Sequence, residues 1–381
     1  MGSQIAFFSN QFASKQGHGV ARYSKELFAH LRNQNECDIT PIAAWSDVES
    51  TELENFKEQT GLQLLRTGRR LTSALWTYLG WPWLEIIAGR KFDLVHILSL
   101  GYPVSVKGKV LITIHDIGPL THPEYFSENP PWLMRKALKQ AVKNCQSIIC
   151  VSEYTAMEVK QYALEHFAVD LSEKLVVVHE GVNQSFFDAP RKVSDAFQNK
   201  LPENFFLCAG KISPRKNTIR VFEALTNAQL QTSNLVLVGG DGWDHEQVKL
   251  KVAELNLQNR VHFLGYVSDE ELKYCYTQCQ AFVYPSLFEG FGLTVLEAMA
   301  CGSPVISSNT TSIPEVAGDA ALLVNPLNSE DIAEAMIRIS QDEKSRTQLI
   351  EKGSLRAKKM TWKKAATETI KVYQEVLEKN D

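Results

Sequence analysis

Two successive series of short apolar runs, with helical patterns between them, constrain the fold of this chain more than any other feature. Runs of four or five apolar residues fit buried strands, and the amphipathic segments fit helices that connect parallel strands. The first series is Ile5–Phe8, Leu94–Leu98, Val110–Ile114, Ser147–Val151 and Leu175–Val178. The second is Phe205–Ala209, Leu235–Val238, Val261–Leu264, Ala281–Tyr284 and Pro304–Ser307. The alternation predicts two parallel α/β sheets, each covered by helices on both faces.

A polar stretch from about residue 183 to 203, which contains Pro190 and Pro202, separates the two series and predicts a linker. We therefore expect residues 1–186 and 187–362 to form two domains, with a ligand in the cleft between them. A length of 381 residues suits this division. The last segment, residues 363–381, is predicted to be a helix that packs back on the N-terminal domain.

Composition excludes several other classes of protein. A formal net charge of −4 provides no basic field for nucleic acid. The seven cysteines form no framework, and Cys275 and Cys279 lack further zinc ligands, so buried thiols in a reducing cytoplasm are expected. The start, Met1–Phe8, lacks the basic and long apolar regions of a signal peptide. The longest apolar stretch, Leu71–Gly89, is interrupted by polar and helix-breaking residues and is not expected to span a membrane.

The segment 281–304, AFVYPSLFEGFGLTVLEAMACGSP, carries the strongest chemical signal. A strand that ends near Pro285 is followed by a turn with Gly290 and Gly292, and then by a helix predicted over Leu293–Cys301. Glycines allow a ligand to approach the backbone, and a helix N-terminus attracts anions. The segment therefore predicts a phosphate-binding turn.

Two glutamates, Glu289 in this turn and Glu297 in the helix, are spaced Glu-x7-Glu. Because a bound phosphate repels carboxylates, their predicted partners are hydroxyl groups, of a sugar for Glu289 and of a ribose for Glu297. The alternative is a pair of charges that only stabilises the helix N-terminus.

Three cations, Lys211, Arg215 and Lys216, crowd the loop after the strand Phe205–Ala209. Their placement fits a diphosphate leaving group, although a solvated loop could also carry them. In the N-terminal half, His115-Asp116 follows a strand, where a histidine would face the cleft.

Two glycine-containing loops give weaker signals. Gly17–Tyr23, between the first strand and helix, is a weak phosphate-loop pattern. Leu235–Gly242 lacks the full G-x-G-x-x-G fingerprint, and no helix is predicted to begin there, so we interpret it as a turn that lines the cleft. The missing fingerprint argues against a dehydrogenase.

Together these motifs resemble glycosyltransferase family 4, the retaining enzymes of GT-B architecture, over nearly the whole chain. Ser286–Pro304 is similar to the family's Glu-x7-Glu signature, Ala209–Asn217 to its Arg-Lys loop, and His115 to its N-terminal histidine. Gly19–Tyr23 resembles its Gly-Ile-Gly-Arg-Tyr loop, with Ala21 in place of the second glycine. The resemblance implies an α/β fold of two Rossmann-like, doubly wound parallel-sheet domains that face each other across a cleft.

The resemblance also implies a role for each matching residue, and it implies no protein nucleophile. His115, Glu289 and Lys216 would be catalytic, and Tyr266 would lie near the base together with Val267. Glu289 would meet the sugar, Glu297 the ribose, and the cations and backbone amides the diphosphate. The implied donor-binding residues are Gly19, Lys211, Arg215, Lys216, Val267, Glu289, Gly290, Phe291, Gly292, Leu293 and Glu297.

The predicted substrates are a nucleotide-diphosphate sugar and a saccharide or lipid-linked saccharide acceptor. GDP-mannose is favoured over a UDP-sugar because several runs look like the mannosyltransferase branch that builds bacterial surface polysaccharides. No cofactor or metal is expected, since no Asp-x-Asp element lies at a strand end. The alternatives are a nucleotide-sugar 2-epimerase of the same architecture and a non-catalytic sugar-nucleotide-binding protein.

An aromatic cluster in the N-terminal half has two interpretations. It is either an ordinary core helix and turn or a surface for an acceptor or a membrane, since Trp and Tyr suit both. Flanking cations would then meet anionic lipids at the inner face of the membrane. The cluster is Trp76, Tyr78, Trp81, Trp83 and Leu84, and the cations are Arg69, Arg70, Arg90 and Lys91.

Overall fold

The computed structural model describes residues 2–13, 19–45, 51–101, 103–126, 131–190, 193–240, 242 and 245–379. The chain divides into two compact units. The first comprises Met1–Glu180 together with Trp362–Asp381, and the second comprises Gly181–Thr361. The division after Glu180 lies slightly before the boundary expected at residues 186 and 187.

The first unit contains a seven-stranded parallel sheet in the order β3-β2-β1-β4-β5-β6-β7 within its described residues. The strands are β1 (Gln4–Phe8), β2 (Asp38–Trp45), β3 (Gln63–Gly68), β4 (Leu94–Ile97), β5 (Lys109–Ile114), β6 (Ser147–Cys150) and β7 (Leu175–Val177). The helices are α1 (Gly19–Gln34), α2 (Thr51–Thr60), α3 (Arg69–Tyr78), α4 (Leu84–Ala88), α5 (Gly118–Thr121), α6 (Pro131–Asn144) and α7 (Glu153–Phe167). The central strands β1, β4 and β5 are buried almost throughout, because helices cover both faces of the sheet.

The second unit contains a six-stranded parallel sheet in the order β10-β9-β8-β11-β12-β13, again within the described part of the chain. Its strands are β8 (Phe205–Ala209), β9 (Asn234–Val238), β10 (Val261–Gly265), β11 (Phe282–Tyr284), β12 (Val305–Ser308) and β13 (Leu322–Val324). Its helices are α8 (Asp195–Gln198), α9 (Thr218–Leu225), α10 (His245–Glu254), α11 (Asp269–Gln278), α12 (Leu293–Ala300), α13 (Ile313–Ala317), α14 (Ser329–Gln341) and α15 (Glu343–Lys359).

Each sheet reverses its strand order beside its first strand, between β1 and β4 in the first unit and between β8 and β11 in the second. Loops at the carboxyl ends of the strands diverge at such a reversal and leave a crevice, which is where open α/β sheets bind ligands. In the second unit, the two loops at this point are those that carry the predicted cations and Glu289.

The last helix, α16 (Trp362–Glu378), belongs to the first unit and packs against α1. Trp362 contacts the ring of Tyr23 at a centroid distance of 5.6 Å, and the Tyr373 hydroxyl lies 2.7 Å from Nδ1 of His96. Nζ of Lys109 donates to the carbonyls of Val376 and Leu377 at 3.2 and 2.9 Å. These contacts satisfy carbonyl groups that a helix C-terminus leaves without intrahelical partners.

Several predictions from the sequence need correction. The apolar runs did not indicate β2, β3 or β13, because β2 contains Pro41, β3 is largely polar and β13 has three residues. The predicted linker over residues 183–203 is partly structured, since Phe186 and Phe197 are buried. A helix, α10, does begin three residues after Gly242, contrary to the prediction for that loop.

The aromatic cluster is divided between the core and the surface of the first unit. Trp76 and Leu84 are buried in the core, and Trp83 is partly buried, whereas Tyr78 is 72% exposed and Trp81 is 55% exposed. Neither interpretation of the cluster therefore holds for all five residues. None of the helices in the described ranges is long and apolar enough to cross a membrane.

Candidate active site

Two loops of the second unit meet at the strand-order reversal between β8 and β11. The loop after β8 contains the 3-10 turn Pro214–Lys216, and the loop after β11 contains Glu289. The carbonyl of Arg215 accepts hydrogen bonds from Leu287 N at 2.8 Å and Ser286 Oγ at 2.9 Å. These bonds fix the cations of the first loop against the carboxylate of the second.

Glu289 is surrounded by hydrogen-bond donors. Its Oε1 accepts from Lys216 Nζ at 2.9 Å, and also from the hydroxyls of Tyr284 and Ser286 at 2.8 and 2.6 Å. Its Oε2 lies 2.6 Å from Nη1 of Arg215. Lys216 Nζ also contacts the Tyr284 hydroxyl. The structure thus places the cations of the first loop and Glu289 of the second in one cluster. The sequence analysis expected the cations to bind the diphosphate of a donor and Glu289 to bind its sugar.

Two cations, Arg215 and Lys216, face the carboxylate of Glu289 in this cluster. Burial alone would raise the pKa of Glu289, but the charges of Arg215 and Lys216, with the Ser286 hydrogen bond, lower that pKa to about 2. Burial and the adjacent Arg215 charge lower the pKa of Lys216 to about 8, against the opposing effect of Glu289. Glu289 is therefore ionised at neutral pH, and the two cations beside it suit an anionic ligand.

The turn before α12 has a backbone conformation that favours glycine. Gly292, the N-cap of α12, has φ +106°, and a Cβ there would lie 2.7 Å from Cδ1 of Ile313. Ser312 Oγ donates to the carbonyls of Glu289 and Phe291, both at 2.9 Å. The predicted amide donors, residues 290–293, therefore lie at a fixed helix N-terminus, where positive partial charge accumulates.

A pocket in the second unit, which opens to solvent, is lined by residues that include Lys211, Lys216 and Tyr284. Two of the loops that line it approach each other closely at Gly239 and Gly210. A Cβ on Gly239 would lie only 2.1 Å from the carbonyl oxygen of Gly210, so the position has no room for a side chain. Gly239 N also donates to the carbonyl of Gly265 at 2.8 Å.

The other predicted donor residues lie outside the lining of this pocket. Glu297 is buried on α12 and is 3% exposed. Tyr266 and Val267 follow β10, and the Tyr266 side chain is exposed while Val267 is partly buried. The pocket therefore meets two of the predicted cations, but not the residues expected near the ribose and the base.

His115 lies directly after β5 in the first unit. Its Nδ1 is 2.9 Å from Oε1 of Glu180, and its Nε2 is 3.0 Å from the carbonyl oxygen of Leu98. Gly19 is the exposed first residue of α1, and Gly17 and His18 lie outside the described residues. Arg215, Lys216 and Glu289 are thus in contact within the second unit, whereas His115 and Gly19 belong to the first.

Three residues of these clusters were not predicted from the sequence, namely Tyr284, Ser286 and Glu180. Each lies at or just after the carboxyl end of a strand, which is the signal that could have indicated it. Hydroxyl and carboxylate residues are common at strand ends, however, and only the folded loops decide which of them contact the cations or His115. Across the described ranges, no group of three or more His, Cys, Asp or Glu residues could hold a metal ion.

Comparison with known proteins gives matches over both units. The family model described as Glycosyltransferase Family 4 matches residues 17–186, and the model described as Glycosyl transferases group 1 matches residues 191–356. The O-antigen chain mannosyltransferase B of Escherichia coli is 32% identical over 274 residues, which cover 70% of each chain. The O-antigen chain mannosyltransferase RfbU of Salmonella typhimurium is 34% identical over 331 residues, or 86% of this chain and 88% of the relative.

A solved structure gives the same architecture. Sucrose-phosphate synthase from Thermosynechococcus elongatus superposes with a TM-score of 0.76 over 98% of both chains, at 22% sequence identity. The two doubly wound sheets show the GT-B fold, and the family matches identify a glycosyltransferase. The chain belongs to glycosyltransferase family 4. The family and the fold class predicted from the sequence are both confirmed.

Proposed function

We propose that this protein transfers mannose from GDP-mannose to a saccharide or lipid-linked saccharide acceptor, with retention of anomeric configuration. The observation that carries the proposal is the contact of Arg215 and Lys216 with Glu289, because two cations held together at a strand end suit a diphosphate leaving group. The mannosyltransferase names of the two relatives, at 32% and 34% identity, support mannose as the sugar.

In the proposed reaction, the bond between C1 of the sugar and the diphosphate oxygen breaks, and the acceptor oxygen bonds to C1 on the same face. The proton of the acceptor hydroxyl passes to an oxygen of the leaving diphosphate, so no protein nucleophile is needed. Lys211 and Lys216 hold the diphosphate with help from Arg215, and they stabilise the charge that develops as it leaves.

Glu289 keeps one oxygen with remaining capacity for a sugar hydroxyl. Its Oε1 accepts three donors, whereas its Oε2 accepts from Arg215. Oε2, with one donor against three on Oε1, is the less crowded oxygen and can accept a hydrogen bond from a sugar hydroxyl. We assign this oxygen to the transferred sugar.

The remaining donor roles follow the family resemblance. The amides of residues 290–293 would meet the diphosphate, Val267 and Tyr266 the base, and His115 the sugar or its phosphate. Gly19 stays a predicted donor contact.

Glu297 would bind the ribose of the donor. Titration of Glu297→Ala with GDP should therefore show weaker binding than wild type, because the hydrogen bonds to the ribose are lost. Unchanged affinity for GDP would remove that role.

A donor panel tests the proposed activity. Purified protein incubated with GDP-mannose and a mannoside acceptor should give a mannosylated product with the α configuration of the donor, whereas UDP-glucose and UDP-N-acetylglucosamine should give none. Turnover of the UDP-sugars alone would contradict the assignment of GDP-mannose. Conversion of the donor without an acceptor would favour the epimerase, and binding without any conversion would favour a sugar-nucleotide-binding protein.

We also propose that the reaction needs no metal ion, since Arg215, Lys216 and the α12 N-terminus already provide positive charge for the diphosphate. In the same assay, transfer should therefore be unchanged, within about twofold, by excess EDTA, since electrostatic stabilisation by fixed cations does not depend on a divalent ion. Loss of activity that returns on addition of magnesium or manganese would contradict this proposal.

A surface of the first unit supports peripheral contact with an anionic membrane. We define the apolar patch as Leu71, Tyr78, Leu79, Trp81 and Ile86, whose side chains are all more than half exposed. Exposed Trp and Tyr side chains beside cations suit the interface of an anionic bilayer. Lys136 Nζ lies 5.4 Å from the centre of the Tyr78 ring, and Lys107 Nζ lies 5.2 Å from that of Trp83.

The position of the apolar patch favours lipid over the sugar acceptor. Glu85 accepts hydrogen bonds from Lys107 N and Gly108 N, both at 3.1 Å, immediately before β5 begins. The patch therefore lies near the amino-terminal end of β5, whereas His115 follows its carboxyl end. Of the predicted flanking cations, Arg70 and Lys91 are exposed, Arg90 bonds Gln4, and the side chain of Arg69 lies outside the described part.

Vesicle flotation tests this contact. The protein should float with vesicles of phosphatidylglycerol, and replacing Leu79 and Trp81 together by serine should reduce the bound fraction about tenfold or more, because two large apolar side chains are lost. Leu250→Ser, at an equally exposed leucine of the second unit, is the matched control. Absence of wild-type binding to these vesicles would refute the contact.

A further inference from the structure

Both ring nitrogens of His115 face oxygen atoms that act as acceptors. Nδ1 lies 2.9 Å from Oε1 of Glu180, and Nε2 lies 3.0 Å from the carbonyl oxygen of Leu98. The His115 and Glu180 side chains are only 13% and 7% exposed. A neutral imidazole has one N–H group and one lone pair, so in either tautomer one of these contacts would place two lone pairs against each other. Both contacts become hydrogen bonds when the pair holds one further proton, either on the ring, with Glu180 as a carboxylate, or on Glu180, with Nδ1 as the acceptor.

Because a carboxyl group is ordinarily a stronger acid than an imidazolium, this proton belongs on the ring, and the surrounding groups do not compete for it. The Tyr23 ring packs edge-on to His115 at 4.5 Å, and burial raises the pKa of its phenol, so Tyr23 stays neutral. His96 bonds the Thr113 hydroxyl, which in turn bonds the Tyr23 hydroxyl, and burial, with the His115 charge, lowers the pKa of His96 to about 3. Asp116 accepts a hydrogen bond from Gly118 N at 3.0 Å, within its own turn.

We propose that Glu180 is a positioning residue that orients His115 and holds it as a doubly protonated imidazolium. The role rests on the proposed function only in that His115 serves the donor. In this state His115 has no lone pair with which to act as a base. Its Nε2–H can exchange the Leu98 carbonyl for a sugar or phosphate oxygen, while Nδ1–H stays bonded to Glu180. The pair therefore supplies a fixed positive charge and a hydrogen-bond donor. The proton of the acceptor hydroxyl then passes to the leaving diphosphate and not to His115.

Nitrogen-15 NMR of the ligand-free protein, labelled at histidine, tests the protonation state without any assay of activity. His115→Gln identifies the His115 resonances by their loss. Both ring nitrogens of wild-type His115 should show imidazolium shifts at pH 7, and in Glu180→Gln they should change to those of a neutral tautomer. Glu173→Gln, at an exposed glutamate of the same unit, should leave them unchanged. A neutral His115 ring in the wild-type protein at pH 7 would overturn the proposal, whether or not the protein proves to be a mannosyltransferase.

The pH dependence of transfer separates positioning from a merely structural role. The ratio of kcat for Glu180→Gln to wild-type kcat should fall on the order of tenfold between pH 6 and pH 8, because the amide no longer favours the charged ring. Taking the ratio at each pH cancels titrations that both proteins share, including that of Lys216. A loss of equal size at every pH would overturn the proposal.

Discussion

Replacing Lys216 by alanine is expected to lower kcat by about 100-fold or more at saturating donor, because the variant loses a largely buried cation, 13% exposed, at the leaving group. Arg215, Tyr284 and Ser286 still bond Glu289, so the second unit should fold. The measurement is the steady-state rate of mannosyl transfer, with circular dichroism to check the fold. Lys249→Ala, at an exposed lysine of the same unit, is the matched control and should retain wild-type kcat. A Lys216→Ala rate close to that of wild type would remove Lys216 from the mechanism.

Replacing Glu289 by glutamine is expected to destabilise the second unit by about 3 kcal/mol at pH 7, the free energy that corresponds to lowering its pKa from 4.5 to about 2. The variant keeps an amide oxygen, but Arg215 and Lys216, both partly buried, lose the negative charge of the Glu289 carboxylate. Because the folded-state pKa lies below the unfolded value, the stabilisation is fully present above about pH 4.5. It is lost as the pH falls towards 2.

Urea denaturation of Glu289→Gln and wild type at pH 7, 4.5 and 3.5 checks this expectation. The difference in the free energy of unfolding should be largest at pH 7 and should narrow below pH 4.5. Glu334→Gln, at an exposed glutamate on α14, should show no such difference. Equal stability of Glu289→Gln and wild type at pH 7 would contradict the role of Glu289 as counter-charge.

Much of the fold could be predicted because the central strands are recognisable from their own apolar sequences. A strand such as β8, with all five residues apolar and buried on both faces, can be recognised from hydrophobicity alone. The edge strands β3 and β13 have partly exposed faces or few residues, so their sequences resemble loops. Their place in the sheet comes from pairing with a neighbour, which is a long-range property that no local pattern contains.

The sequence allowed us to predict which residues belong to the candidate site, but not which of them contact each other. Lys216 and Glu289 are marked by glycines and by strand ends, and the sequence signals for both are local. Their direct ion pair follows from the adjacency of β8 and β11, which are separated in the chain by β9 and β10. The Glu180–His115 contact likewise joins the ends of β7 and β5 across β6. The order of the strands in the sheet therefore decides which charged side chains come into contact, and no single sequence motif contains that order.

The packing of α16 on α1 has a consequence for the order in which the protein matures on the ribosome. Synthesis completes the second unit, Gly181–Thr361, before the final segment of the first unit exists. Until Trp362–Glu378 emerges, the surface that receives Trp362 and Tyr373 stays open to solvent. Domains usually fold in the order of their synthesis. Here the first unit begins to form first but is completed last. Its apolar face therefore stays uncovered, and the nascent unit has to remain soluble, while the whole second unit is synthesised.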